Sequence, residues 1–281
     1  MKVVPVPVRS DNYAYLVIDD ATKTAAAVDP FDVGKVTAAA DSLGVSLVAA
    51  IITHHHADHS GGNKVFVCRF HSVPFTSSYM PPRPQRTPMQ SSTLAPTARP
   101  LRPISSKTRM SSELDPSASS APHHLTSTPP TPCHTQDSIC YHATDASDPE
   151  HPGGVFTGDT LFTAGCGRFF EGTGAEMHAA LSYLGTLPDE TLTYVGHEYT
   201  ADNVAFAASV GPDNPDIARL AEIVRMNKIT AGLTTIGDEK KWNPFMRLKD
   251  PAIRRAANAS SDTPDSAVMD TLREQKNKFK A

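Results

Sequence analysis

Apolar and polar positions along the first fifty residues fall into short blocks. Val3–Val8 is β-rich, and Tyr13–Ile18 and Thr24–Val28 read as a second and a third strand. From Val33 to Leu43 the apolar residues shift to a spacing near 3.6, which predicts a helix that stops at Gly44. Leu47–Thr53 is again a β-type run. Further along, Ile139–His142 reads as a short strand, Gly153-Gly154 as a turn, Val155–Thr157 as a strand ending at Gly158-Asp159, and Leu192–Val195 as a strand ending at Gly196-His197. Beyond it the pattern turns helical, over Ala201–Val210, Pro215–Lys228 and Asp265–Lys278. The succession predicts a layered α/β sheet domain, in which sites gather at strand ends, with a small helical domain packed against it.

Residues 71–132 break this pattern. They hold 13 Pro and 13 Ser among 62 residues and no Gly. Such a stretch buries too little apolar surface to offset the entropy of ordering, and it is long for a loop inside a compact domain. It predicts a segment foreign to the domain around it, of the kind a retained intron or a compensated frame shift leaves, with order returning near Thr131.

A net charge of -4 excludes a generally basic nucleic-acid-binding surface. No uninterrupted apolar run has membrane length, and Met1–Pro7 carries no targeting pattern, so a cytoplasmic protein is expected. Four cysteines without a CxxC pair make no disulfide framework, and reduced thiols are expected.

The densest chemistry is Thr53-His54-His55-His56-Ala57-Asp58-His59, at the end of a predicted strand and before Gly61-Gly62. His54 and His56 fan toward one point, and Asp58 with His59 supplies a carboxylate and an imidazole for a second cation beside it. Nitrogen and oxygen donors of this kind suit two Zn²⁺ ions, with Fe or Mn also accepted, better than Mg²⁺ or Ca²⁺. Further ligands must come from other strand ends: His134 would complete a set with His54 and His56, Asp159 would bridge, and His197 would join Asp58 and His59. Two adjacent cations bring a bridging water near neutrality in pKa and stabilise an oxyanion, which implies hydrolysis of an ester-like or thioester substrate. Asp58 is expected to orient the nucleophile, and Asp58 and Asp159 are the candidate catalytic carboxylates. Asp29 reads equally as an acid behind the ligands and as an ordinary turn residue. Cys166, between two glycines, reads as a packing residue. His55, His71, His123, His124, His142, His151 and His178 read as surface groups or groups behind the site.

Thr-His-x-His-x-Asp-His with a distant His, Asp and His resembles the metallo-β-lactamase superfamily, an α/β fold built as an αββα sandwich with a dinuclear site. Within it, Gly158–Phe162, Gly165–Gly172, Gly196–Thr200 and Asn243–Arg247 resemble the hydroxyacylglutathione hydrolase (glyoxalase II) family, over roughly residues 1–67 and 131–281. The resemblance implies a catalytic domain over 1–197, including the anomalous segment 71–132, and a helical substrate-binding domain over 198–281. It implies hydrolysis of S-D-lactoylglutathione to D-lactate and glutathione, a step of methylglyoxal detoxification; from the charge and the absence of a membrane-length run no nucleic-acid or membrane partner is expected, and a monomer is expected with the oligomeric state open. It places His54, His56 and His134 on one metal, Asp58, His59 and His197 on the other, and Asp159 between them. Glutathione contacts fall on Arg168, Tyr199, Arg273 and Lys276, and on Phe170 where relatives often carry Tyr. Read without it, Leu272–Lys276 is a solvated helix face.

Alternatives stay open at this stage. A persulfide dioxygenase of the same superfamily uses one iron and lacks the full second-metal set and the helical extension. A catalytically impaired metal- or glutathione-binding relative follows if the strands and loops expected before His134 are missing. A nuclease of the superfamily fits a slightly acidic chain less well.

Overall fold

The computed structural model describes residues 1–70, 75–77, 123–145, 148 and 150–280, with 75–77, 123 and 124 described by their backbone. The chain opens with β1 (Lys2–Pro7), β2 (Tyr13–Asp19) and β3 (Thr24–Val28), paired antiparallel. Helix α1 (Val33–Leu43) then crosses over so that β4 (Ser46–Ile52) runs parallel to β3. Its boundaries follow from local chemistry: the Asp32 side chain accepts from Lys35 N, and Gly44 takes the left-handed conformation that ends the helix. Short helices α2 (Ala57–Ser60) and α3 (Asn63–Arg69) follow, and β5 (Phe75–Ser77) pairs parallel with β4. The first sheet has the order β1-β2-β3-β4-β5.

Next come β6 (His123–Ser127), β7 (Tyr141–Asp145), β8 (Gly154–Gly158), the hairpin β9 (Leu161–Phe162) and β10 (Gly165–Cys166), helix α4 (Gly174–Leu184) and β11 (Leu192–Val195). The second sheet has the order β11-β8-β7-β6, with β11 parallel to β8. Helices α5 (Thr200–Val210), α6 (Pro215–Met226), α7 (Ile236–Trp242), α8 (Pro251–Ala256) and α9 (Asp265–Lys278) complete the chain.

The two-residue period of β2 explains the layering. Tyr13, Tyr15 and Val17 point to one side and meet Tyr141, Phe156 and Tyr194 of the second sheet. Ala14, Leu16 and Ile18 point to the other and pack with Val33, Val36 and Ala40 of α1 and with Phe66 of α3. On the far face of the second sheet, Val155 and Leu161 share a core with Met177, Leu181, Phe206, Val268 and Leu272 of the helices. This is the expected αββα sandwich with helices added after it.

Two expectations are corrected. Within 71–132, residues 75–77 and 123–127 form edge strands of the two sheets, so structure begins before Thr131 and the edges next to β4 and β7 are paired. Backbone hydrogen bonding to an existing edge organises a strand without a hydrophobic pattern of its own, which is why composition missed it. The reading of residues 78–122 as foreign to the domain lies outside the described residues. The strand expected at Ile139 starts at Tyr141 and runs on to Asp145, because Ile139 N instead donates to Thr53 O (3.0 Å) in the other sheet's terminus.

One buried carboxyl ties the helices to the β9–β10 hairpin. Glu239 accepts from Ala164 N, Trp242 Nε1 and Asn243 Nδ2, each at 2.8 Å. Burial pushes its carboxyl from the ordinary 4.5 up to about 7 against those donors. A carboxyl with a higher pKa folded than unfolded stabilises the fold most below the unfolded value, and that contribution is lost as pH rises through the folded one. Wild type is therefore expected to lose stability relative to Glu239→Gln between pH 4.5 and about 7. Thermal melts of both proteins across that range check this; a constant difference would show that Glu239 does not titrate there.

Candidate metal centre

The His/Asp cluster lies where β4, β8 and β11 end together. The chain leaves β4 through Thr53 and His54, β8 through Gly158 and Asp159, and β11 through Gly196 and His197. Close approach of the last two is possible because Gly196 has no side chain: a Cβ there would lie 2.3 Å from Asp159 Oδ1. Gly158 adopts φ +47° and packs on the Thr53 side chain.

All seven residues predicted as ligands come together, in three overlapping groups: His54, His56 and His134; His54, His59 and Asp159; Asp58, His59 and His197. Within each group the donor atoms lie within 4.8 Å of one another. Asp159 sits between the outer groups, with Oδ2 at 3.3 Å from both His134 Nε2 and His197 Nε2 and Oδ1 at 3.3 Å from His59 Nε2.

The hydrogen bonds behind the rings show what the site is built to hold. His134 Nδ1 faces the Arg168 carbonyl at 3.0 Å, an acceptor only, so this nitrogen carries the proton and Nε2 a lone pair. His59 Nδ1 faces Asp29 Oδ2 at 2.9 Å and His197 Nδ1 faces Asp11 Oδ1 at 3.0 Å, which leaves their Nε2 atoms facing each other at 3.2 Å. The Thr53 hydroxyl donates to Asp29 Oδ2 (2.7 Å) and therefore accepts from His54 Nδ1 (3.1 Å), turning His54 Nε2 inward. His54 Nε2 and Asp159 Oδ1 are buried without a hydrogen-bond partner. Ring nitrogens and carboxylate oxygens converging on one another, with orphaned buried polar atoms beside them, fit cations and nothing apolar.

Electrostatics divide the site. Burial, with neighbouring imidazoles, holds His54 well below the ordinary imidazole value, and burial holds His134 below it. At His59 and His197 burial also acts downward, but Asp159 and the carboxylates behind the rings outweigh it and hold both above that value. Asp159 is kept well below the usual carboxylate range: burial would raise it, and His59 and His197 overcome that. For Asp58 the opposing influences are the Asn12 amide and His59, which outweigh burial and lower it.

His56, Asp58, His134, Asp159 and His197 line the floor of a cleft of about 870 Å³, with His54 and His59 behind them. Phe170 overhangs one side, 60% exposed, edge-on to His56 and His134. Tyr199 stacks on His197 with ring centroids 4.7 Å apart. Arg168, Arg273 and Lys276 line the walls, all five predicted substrate-binding residues thus reaching the same cleft. The solvated-face reading of Arg273 is corrected: it is 7% exposed, donates from Nη1 to Cys166 O (2.7 Å) and lies over Phe245. A hydrophobicity pattern treats Arg as polar, whereas its stem and planar head bury well once a carbonyl is provided. Lys276 Nζ donates to Asp202 O (2.8 Å); burial, followed by Arg273, pushes its pKa down to about 8. Cys166 is a buried packing residue, its thiol pushed up to about 11 by burial.

Asp29 resolves as an acid behind the ligands. Asp11 and Asn12 were missed, Asn12 donating from Nδ2 to Asp58 Oδ2 at 3.0 Å. The signal available was a Ser-Asp-Asn turn between two strands, but nothing local ties it to His197, 185 positions from Asn12. His55, read as a surface group or a group behind the site, is half-buried and faces Asp137 Oδ1 at 2.8 Å. His71 and the side chains of His123 and His124 lie outside the described residues.

A sandwich of two sheets with paired His/Asp groups at their ends defines a class, and the comparisons agree with it. Residues 12–197 match the metallo-beta-lactamase superfamily model, and residues 198–279 match the hydroxyacylglutathione hydrolase C-terminus model. The chain belongs to the metallo-β-lactamase superfamily and, within it, to the hydroxyacylglutathione hydrolase family. A Schizosaccharomyces pombe protein named as a probable hydroxyacylglutathione hydrolase is 38% identical, covering 98% of both chains. The Saccharomyces cerevisiae hydroxyacylglutathione hydrolase, cytoplasmic isozyme, is 35% identical over 95% of this chain and 94% of its own. The crystal structure of ETHE1 from Myxococcus xanthus covers 98% of both chains with a TM-score of 0.56 at 23% identity, a likeness of fold. Among the described residues no helix is long and apolar enough to cross a membrane.

Proposed function

We propose that the chain hydrolyses S-D-lactoylglutathione to D-lactate and glutathione, with residues 1–197 as the catalytic unit and 198–281 as the unit that binds the glutathione end. The observation that carries the reading is the convergence of seven His and Asp donors, five of them lining the floor of a cleft whose walls carry Arg168, Arg273 and Lys276. His54, His56 and His134 would hold one Zn²⁺ and Asp58, His59 and His197 the other, with Asp159 shared. Bound there, such cations supply a hydroxide at neutral pH and a Lewis acid for the thioester carbonyl.

The remaining work falls to the chain's own groups. Asp58, half-buried and fixed by the Asn12 amide, is placed to accept a proton from the attacking water. Arg273 and Lys276 offer cationic donors to the carboxylates of a tripeptide, and Tyr199, stacked on His197, fixes the wall between them and the reacting carbon. The second donor group and the C-terminal helices are the features that a one-iron persulfide dioxygenase lacks.

Arg273→Ala is expected to raise KM for glutathione thioesters about tenfold or more, the loss of a charged hydrogen bond, with bound metal unchanged. Steady-state kinetics beside metal analysis check it; an unchanged KM would confine Arg273 to holding the Cys166 carbonyl. The function itself is tested by offering the zinc-supplemented protein S-D-lactoylglutathione and, separately, glutathione persulfide with oxygen uptake recorded. Thioester turnover without oxygen uptake is expected, and oxygen uptake without thioester turnover would overturn the reading.

A further inference from the structure

The two donor groups differ in what stands behind them. Around His54, His56 and His134, the outward ring nitrogens that are held meet neutral oxygens: Thr53 Oγ1 at 3.1 Å from His54 Nδ1 and Arg168 O at 3.0 Å from His134 Nδ1. In the other group one ligand, Asp58, is itself a carboxylate, and both imidazoles are backed by carboxylates: Asp29 behind His59 at 2.9 Å and Asp11 behind His197 at 3.0 Å. With Asp159 shared, three carboxylates belong to or touch one group directly, whereas among the described residues Asp29 reaches a ligand of the other through the Thr53 hydroxyl.

We infer that Asp11 and Asp29 are positioning residues that make the Asp58, His59 and His197 position the tighter of the two cation positions, and that Asp11 acts on that position alone. The inference rests on the metal reading above. An imidazole that donates to a carboxylate is fixed in orientation and is a more basic ligand, and negative charge close by attracts a dication, that of the buried Asp29 with little screening.

Asp29 reaches further than Asp11. Its Oδ1 accepts from Thr53 N (2.8 Å), and its Oδ2 accepts from both Thr53 Oγ1 and His59 Nδ1, so through the Thr53 hydroxyl it also sets His54. It keeps φ +46°, an unfavourable value for a residue with a side chain, and those three hydrogen bonds hold it there. Asp11 stands on a turn pinned by Glu198 N to Asp11 O (2.8 Å) and Tyr13 N to Gly196 O (2.9 Å). Its side chain is 39% exposed, so Asp11→Asn leaves the core untouched.

The test is a Zn²⁺ titration of chelator-stripped protein against a chromophoric competing chelator, with circular dichroism to confirm the fold. Wild type is expected to bind two equivalents with unequal affinity. Asp11→Asn should weaken the tighter equivalent about 10–100-fold and leave the weaker one in place. Thr53→Val, which removes the support of His54, should weaken the other equivalent more than the tight one, and Asp29→Asn should weaken both. Should Asp29→Asn fail to fold, Asp11→Asn still decides. An Asp11→Asn titration that superimposes on wild type, or one in which the weaker equivalent is the one lost, would overturn the inference while leaving the two-ion site standing. A folded wild type that takes up no metal would overturn the proposed function and this inference together.

Discussion

Asp159→Ala is expected to abolish thioester hydrolysis, by at least about 10³-fold, and to lower bound metal by more than one ion per chain. The carboxylate is 8% exposed and, among the described residues, is the one group whose two oxygens reach donors of both outer groups, His134 on one side and His59 and His197 on the other. Its removal takes a ligand from each position at once. The charge balance also fails: Asp159 is the largest influence holding His59 and His197 above the ordinary imidazole value against burial. Elemental analysis of the purified variant beside its kinetics checks both halves. Full metal content with retained turnover would remove Asp159 from the bridging role.

Trp242→Ala is expected to cost the fold about 3–5 kcal/mol. Trp242 is fully buried at the junction of α5, α6 and α7 with Ala164, Ala207, Ile217 and Leu220, and the Arg219 guanidinium lies 4.7 Å from the ring centroid. Its indole N–H is one of the three donors on Glu239, so the variant also leaves a buried carboxyl short of a partner. For a chain of this size the midpoint of thermal unfolding should fall by roughly 10 °C. Because Glu239 carries Ala164, and with it the hairpin whose Cys166 carbonyl seats Arg273, KM should rise as well. Trp242→Phe keeps most of the volume and should lose far less. Melts and KM values for both variants check this, and a Trp242→Ala melt within a few degrees of wild type would contradict it.

The contrast between these two sites shows what a one-dimensional reading can reach. Thr53–His59 announces its chemistry because the donors are neighbours in sequence and a β-type run precedes them. The β-type block Tyr13–Ile18 and the Gly44 stop of α1 are likewise local, and both stand in the fold. Asp11 and Asn12 act through contacts with His197 across most of the chain, and Glu239 through Ala164, 75 positions away, and nothing local reports either contact. Helix α4 escaped the pattern because its length is filled with small residues beside Met177, Leu181 and Leu184, giving a weak contrast between faces. It is held at its start by a capping box of Thr173 and Glu176. The hairpin strands are two residues each, shorter than any periodicity can mark. Arg273 was legible as a cleft residue through family resemblance, and the physical reason became visible only with the Cys166 carbonyl beside it.

The most direct test of the account is the rate of S-D-lactoylglutathione hydrolysis by chelator-stripped protein as Zn²⁺ is returned in measured equivalents. The account predicts no turnover from the stripped chain and a rate that rises to a plateau at two ions per chain. Full turnover from the stripped chain, or none from a chain carrying two ions, would contradict it.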